Sequence, residues 1–167
     1  MVAEMNLKNF VELGLKREIK DFLDFPSGEI LNVGCGNHVV KNAISIDYSD
    51  WDADLEELQF ATNSVAGIHC YHFLEHIVDP VRILYEFQRV LKVGGVVNIV
   101  VPYYNSQMMH HDLDHKHSFC EDTWKVLFSN SYYDKNKLNW KLKVHINFIF
   151  GLVERNLSLF TQLVKYE

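Results

Sequence analysis

The stretch Ile30-Leu31-Asn32-Val33-Gly34-Cys35-Gly36-Asn37 constrains this chain more than any other. A short apolar run, read as a strand over Glu29 to Val33, stops on two glycines one residue apart. Glycine tolerates φ > 0 and lets a ligand lie directly against main-chain N–H groups. In an α/β sheet such a turn falls at the carboxyl end of a strand, where ligands bind. Only Asn37 to Asn42 separate it from the next strand, Ala43 to Ile46. At about 1.5 Å rise per residue, that connection is too short for a three-turn helix. Val39 stands where the third glycine of GxGxxG would be, and no GK[ST] follows. A nicotinamide dinucleotide site and a P-loop are therefore both disfavoured.

The second strand ends on Asp47. A carboxylate there can accept both hydroxyls of a ribose diol. Asp is also a common turn former, but its place after Gly-x-Gly and an intervening strand favours the ribose role. Further on, Val65 to Tyr71 reads as a central strand. His72-Phe73-Leu74-Glu75-His76 leaves its carboxyl end. Asp79-Pro80 is an N-cap followed by proline at the first helical position. A helix is expected from Val81 to about Leu91, with Ile83, Leu84, Phe87, Val90 and Leu91 facing in. Lys92-Val93-Gly94-Gly95 would cap it, before a buried strand from Val96 to Val101 that ends at Pro102.

The flanks are simpler. Leu7, Phe10, Val11, Leu15, Ile19, Phe22 and Leu23 recur at helical spacing over residues 5 to 24. Glu121 to Phe128 reads as a helix with Trp124, Leu127 and Phe128 inward, and Leu138 to Phe150 alternates as a strand does. Residues 157–166 fit either helix or strand, and the strand is preferred. With 167 residues the chain reads as one domain. Its three cysteines, Cys35, Cys70 and Cys120, show no paired spacing, so neither a disulfide framework nor a zinc knuckle is expected, and a reducing cytoplasm is. Met1 to Phe25 is charged throughout, unlike a signal peptide or membrane span. The formal charge of −6 and the lack of a Lys/Arg run disfavour general nucleic-acid binding.

Taken together, Leu31-Asn32-Val33-Gly34-Cys35-Gly36, Asp47, Asp54-Leu55, Phe73-Leu74-Glu75-His76 and Arg89-Val90-Leu91-Lys92-Val93-Gly94-Gly95 resemble a class I S-adenosylmethionine-dependent methyltransferase. The resemblance is to the small type-11-like subgroup with shortened helices around strand 2, and it covers residues 29 to about 124. It implies a Rossmann-like α/β fold: a mixed, mostly parallel seven-stranded sheet flanked by helices, with reduced helices between strands 1, 2 and 3. It divides the chain into an N-terminal helix (1–28), a cofactor-binding core (29–101) and a substrate-side loop, helix and C-terminal strands (102–167).

The same resemblance assigns roles. Gly34 and Gly36 let the backbone approach the methionine moiety of S-adenosylmethionine. Asp47 binds the ribose and Tyr48 stacks on adenine. Asp54 accepts from the adenine amino group, with the Leu55 backbone alongside. Asn32, Cys35 and Phe73 complete the cofactor set, and His72 lies near the methyl-transfer centre. Asn32 stands where the family most often has Asp, and Val93 where it commonly has Pro. The sulfonium is already an activated donor, so catalysis is largely alignment; an oxygen or nitrogen acceptor can also need a general base.

Between residues 110 and 117 the chain carries four histidines and two aspartates. Such a loop by itself sets no ligand geometry, and no metal ligand is assigned. It reads instead as a substrate-side loop, with His115 or His117 as general base. Equally, His115 can hold the loop by bonding to backbone. Tyr103 and Tyr104 suit either an acceptor pocket or packing. The expected activity is methyl transfer to a small-molecule acceptor, such as a sugar or polysaccharide precursor; oligomeric state is not legible. Two rivals stand beside it: a non-catalytic methyltransferase-like binding or regulatory subunit, and a metal-dependent hydrolase or oxygenase built on the histidine loop.

Overall fold

In the computed structural model the described residues are 25–128, 140–150 and 155–166. The helix expected over residues 5–24 lies outside them. Six strands form one sheet: β1 (Glu29–Val33), β2 (Ile44–Ile46), β3 (Val65–Tyr71), β4 (Leu91–Pro102), β5 (Trp140–Phe150) and β6 (Arg155–Lys165). Their order is β2-β1-β3-β4-β6-β5. The first four are parallel, and β6 runs antiparallel to both β4 and β5. The C-terminal stretch is thus a strand, as the preferred reading has it. No seventh strand forms among the described residues.

The reason is visible between β2 and β3. Two successive turns occupy the backbone there: Asp50 and Trp51 amides donate to the Asp47 carbonyl at 2.8 and 3.0 Å, and Leu55 and Glu56 amides to the Asp52 carbonyl at 3.1 and 2.8 Å. The next carbonyls are taken by a helix. In α1 (Pro80–Val90), capped by the Asp79 carboxylate accepting from the Arg82 amide, two arginines reach across. Arg82 donates to the Ala53 and Glu56 carbonyls, and Arg89 to those of Phe60 and Leu58, each at 2.8 Å for Arg89. Arg89 also chelates Glu86, whose Oε2 accepts from the Leu58 amide at 3.0 Å. Burial opposes the charge on Glu86, but the Arg89 guanidinium and Leu58 amide hold its carboxyl below the usual range. Backbone groups that a strand ladder would need are already bonded.

At the other end of α1, the helix stops at Val90 and β4 begins at Leu91, five residues before the expected start at Val96. Lys92 to Gly95 do not cap the helix but bulge from the ladder, whose register jumps from Val65↔Leu91 to Gly67↔Val96. Gly94 takes φ +78° there, and a Cβ on Gly95 would lie 2.8 Å from the Lys92 carbonyl oxygen.

One face of the sheet is apolar. Leu31, Val33, Ile68, Cys70, Val97, Ile99 and Leu163 join Ile83, Leu84, Phe87 and Val90 of α1 in one buried cluster. Through the same registers, Asn32, His69, Asn98 and Gln162 stand side by side across β1, β3, β4 and β6. All four are buried, and Gln162 Nε2 donates to Asn98 Oδ1 at 2.8 Å. Gly67 leaves the space that the Phe25 ring fills, and that ring meets His69 edge-on with centroids 4.7 Å apart.

Burial pushes the His69 imidazole down to about 4. It therefore stays neutral in the folded chain while the unfolded chain binds a proton below about 6.5. Between these values the unfolded state holds more protons, so stability rises with pH. Acidification from pH 6.5 to 4 is expected to remove about 3 kcal/mol through this residue. Urea unfolding of His69→Gln against the parent checks it: the variant should lose less stability over that window, and equal losses would contradict the assignment.

Candidate active site

The four parallel strands end together at Val33, Ile46, Tyr71 and Pro102, and the side chains singled out for ligand chemistry follow these ends, except Asn32, which lies inside β1. After β1, Gly34 and Gly36 take φ +66° and +48°. The Gly34 and Cys35 amides donate to the Ile46 carbonyl at 2.9 and 3.4 Å, which folds the turn against the end of β2. The Phe73 ring lies on Gly34: a Cβ there would sit 2.3 Å from Phe73 Cδ2. At Gly36 a Cβ would meet nothing within 4 Å, so only its φ demands glycine. Asn32 is buried, and its Nδ2 donates to the His38 carbonyl at 2.7 Å. Its amide braces the loop from beneath.

Asp47 is half-buried just past β2. Its main chain is bonded within the turn, with its amide donating to Asp50 Oδ2 at 3.0 Å. Its carboxylate accepts no hydrogen bond among the described residues. Tyr48 beside it is 80% exposed and Leu55 is 79% exposed, so both present apolar surface to solvent. Asp54 has structural work: Oδ1 accepts from the Val78 amide at 2.9 Å, tying this loop to the segment that follows β3. Trp51 and Phe73 rings stand 6.2 Å apart.

After β3 the chain turns sharply. His72 holds φ +51°, a left-handed conformation uncommon for a side chain with a Cβ, and its amide donates to the Val100 carbonyl at 2.8 Å. A 3-10 turn follows at Leu74–His76. The histidine loop, which begins in the four-residue helix α2 (Gln107–His110), docks on this segment. Lys116 and His117 amides donate to the Glu75 carbonyl at 2.7 and 3.2 Å, and Lys116 Nζ donates to the His76 carbonyl. His117 Nε2 meets the Val78 carbonyl at 3.1 Å, and His115 Nδ1 the Met109 carbonyl at 2.9 Å. Both expected bases thus also hold backbone. His76 Nδ1 lies 3.3 Å from Asp114 Oδ2, and the His76 and His115 rings are 4.7 Å apart. His110 is exposed.

Tyr103 packs: it is buried and donates to Glu121 Oε2 at 2.9 Å, joining the residue after β4 to α3 (Glu121–Phe128). Burial and the Glu121 carboxylate push its phenol up to about 12. Tyr104 remains nearly half exposed. The turn side and the histidine side meet through Phe73 and His72, neighbours in the chain. Glu75 and His76 were not singled out as site residues, although the Leu-Glu-His sequence directly after a strand end was their signal.

Residues 41–99 match a family model described as a methyltransferase domain. A comparison with curated protein sequences finds no match. Among solved structures, the YcgJ protein of Bacillus subtilis is similar at 15% identity and a TM-score of 0.64, over 92% of this chain and 98% of that one. An S-adenosylmethionine-dependent methyltransferase of Mesorhizobium loti is similar at 12% identity and a TM-score of 0.64, over 89% and 96%. A chain in the Haloferax volcanii complex that contains the Trm112 methyltransferase activator is similar at 12% identity and a TM-score of 0.62, over 96% and 93%. At such identities the likeness is one of fold.

Proposed function

We propose that the chain is a class I S-adenosylmethionine-dependent methyltransferase of the type-11 kind, the reading supported by the methyltransferase-domain match over residues 41–99, and that it methylates a small-molecule acceptor. The observation that carries this is the docking of the histidine loop on the His72–Val78 segment, through the Glu75, His76 and Val78 carbonyls. A loop fastened at the strand ends suits an acceptor small enough to fit between loop and sheet, and the net charge of −6 disfavours a polyanion. A hydroxylated metabolite such as a sugar or polysaccharide precursor fits that description. A cytoplasmic setting suits the three free thiols. No helix among the described residues is long and apolar enough to cross a membrane.

The residues fit the cofactor. A cradle closed to a Cβ at Gly34 and open above Gly36 accepts a ligand against main chain, and Asp47 offers an unbonded carboxylate at its rim. When bound, S-adenosylmethionine supplies a methyl group already activated by its sulfonium. In this reading Gly34, Cys35 and Gly36 line the methionine moiety, with Asn32 bracing them. Asp47 accepts the ribose hydroxyls, Tyr48 and Leu55 flank the adenine, and Asp54 keeps Oδ2 for its amino group. Phe73 closes the wall beside Gly34. His72, held in its strained turn, takes the acceptor proton; His115 and His117 hold the loop.

Asp47→Ala should weaken S-adenosylmethionine binding by about 2 to 3 kcal/mol, roughly 30- to 150-fold, because two hydrogen bonds to a charged acceptor are lost. Its melting temperature should stay unchanged, since that carboxylate bonds to nothing among the described residues. Calorimetric titration checks the first expectation and thermal melting the second. For the acceptor, the protein is incubated with methyl-labelled cofactor and a cell extract split into small-molecule and macromolecular fractions. Label is expected in the small-molecule fraction. Enzyme-dependent label confined to protein or nucleic acid would overturn the acceptor reading while leaving the family in place.

A further inference from the structure

Glu75 is out of keeping with its surroundings. Its side chain is 0% exposed, and neither carboxylate oxygen has a hydrogen-bond partner. Buried carboxylates are ordinarily paired, hydrogen-bonded or bound to a metal. His72 Nδ1 comes within 3.3 Å of Oε1, but without the alignment of a hydrogen bond. Meanwhile two imidazoles converge on the same carboxylate. One is His76, next in the chain; the other is His115, delivered by the docked loop. One ligand atom from each of Glu75, His76 and His115 lies within 4.8 Å of the other two.

We propose that Glu75, His76 and His115 bind one first-row divalent transition-metal ion. The pattern of residues alone assigns no metal ligand; the fold brings these three together. Bond lengths of about 2.0 to 2.2 Å to nitrogen and oxygen put neighbouring ligand atoms roughly 3 to 3.5 Å apart, so the trio needs to close only modestly. The second shell is already built. The Met109 carbonyl meets His115 Nδ1 at 2.9 Å, and Asp114 Oδ2 lies 3.3 Å from His76 Nδ1. Each contact fixes a ring and turns its other nitrogen into the ligand. Two imidazoles and one carboxylate suit zinc, manganese or cobalt and leave coordination positions open. The ion would fasten the histidine loop to the Leu74–His76 turn and give the Glu75 charge a counter-ion.

The test uses full-length metal-free protein, with zinc alone as the probe in calorimetry and cobalt alone for its visible absorption. One ion per chain is expected, with a higher melting temperature in its presence. His115→Ala and Glu75→Gln should each weaken binding at least tenfold, whereas His110→Ala, an exposed histidine of the same loop, should not. If a Glu75 variant fails to fold, His115→Ala with the His110→Ala control decides alone. Folded parent protein without saturable binding, or binding that survives His115→Ala but falls with His110→Ala, would overturn the site. None of these readouts involves methyl transfer, so failure here and failure of the methyltransferase reading are distinguishable.

Discussion

Gly34→Ala should reduce the affinity for S-adenosylmethionine at least 100-fold. Two separate penalties meet at this position. The backbone sits at φ +66°, where an L side chain costs about 1 to 2 kcal/mol. The added methyl would also lie 2.3, 2.6 and 2.7 Å from Phe73 Cδ2, Cγ and Cβ. Phe73 cannot simply rotate away, because its own Cβ is among the atoms struck. Either the glycine turn or the chain leaving β3 must shift, and both line the cradle proposed for the cofactor. Displacing either by an ångström forfeits main-chain contacts to the cofactor, about 3 kcal/mol in all for a 100-fold loss. Gly36→Ala is the internal control. Its Cβ would meet nothing within 4 Å, so only the φ penalty applies and the loss should be several-fold smaller. Calorimetry on both variants, with circular dichroism to verify folding, makes the comparison. Equal effects at the two glycines would show that the Phe73 contact does not shape the cradle.

Arg89→Ala should lower stability by about 3 kcal/mol, a large effect for a polar side chain on a helix surface. This guanidinium donates to the Leu58 and Phe60 carbonyls and chelates both oxygens of Glu86. Removing it strands a largely buried carboxylate with the Leu58 amide as its remaining bond. It also releases the turns that stand in for an edge strand. At about 2 to 4 °C per kcal/mol for a chain of this size, the melting temperature should fall by roughly 6 to 12 °C. Arg89→Lys should not restore it, since an ammonium cannot span a carboxylate and two carbonyls in one plane. Thermal unfolding followed by circular dichroism measures this. A loss under about 1 kcal/mol, the range of exposed ion pairs, would mean that the 53–60 loop holds without Arg89.

These two residues also show what could be read in advance. The Gly34–Gly36 turn, the Asp79 cap and Pro80 are local signals, and the fold honours each of them. The C-terminal strand was ambiguous because residues 157–166 satisfy both periods, and only pairing of β6 with β4 and β5 decides between them. Arg82 and Arg89 look like a solvated helix face in one dimension. Their role depends on carbonyls some thirty residues earlier, brought near by the sheet, and with those carbonyls bonded no seventh strand forms there. The polar row of Asn32, His69, Asn98 and Gln162 was hidden for a similar reason. Each residue is a lone polar position in an apolar strand, and register alone aligns them. The site shows the same limits. Gly34, Asp47 and His72 fall at strand ends, where chain order points to them. The Glu75, His76 and His115 cluster depends on a loop docking that no spacing encodes, and Asn32 and Asp54 have hydrogen-bond partners that only the fold supplies.

The most direct test is calorimetric titration of S-adenosylmethionine into the intact, metal-free chain. One-site binding in the micromolar range, about −8 kcal/mol, is expected, with S-adenosylhomocysteine competing for the same site. A folded chain that gives no binding signal for either ligand up to about 1 mM, near −4 kcal/mol, would contradict the methyltransferase reading and leave the glycine turn and Asp47 without a ligand.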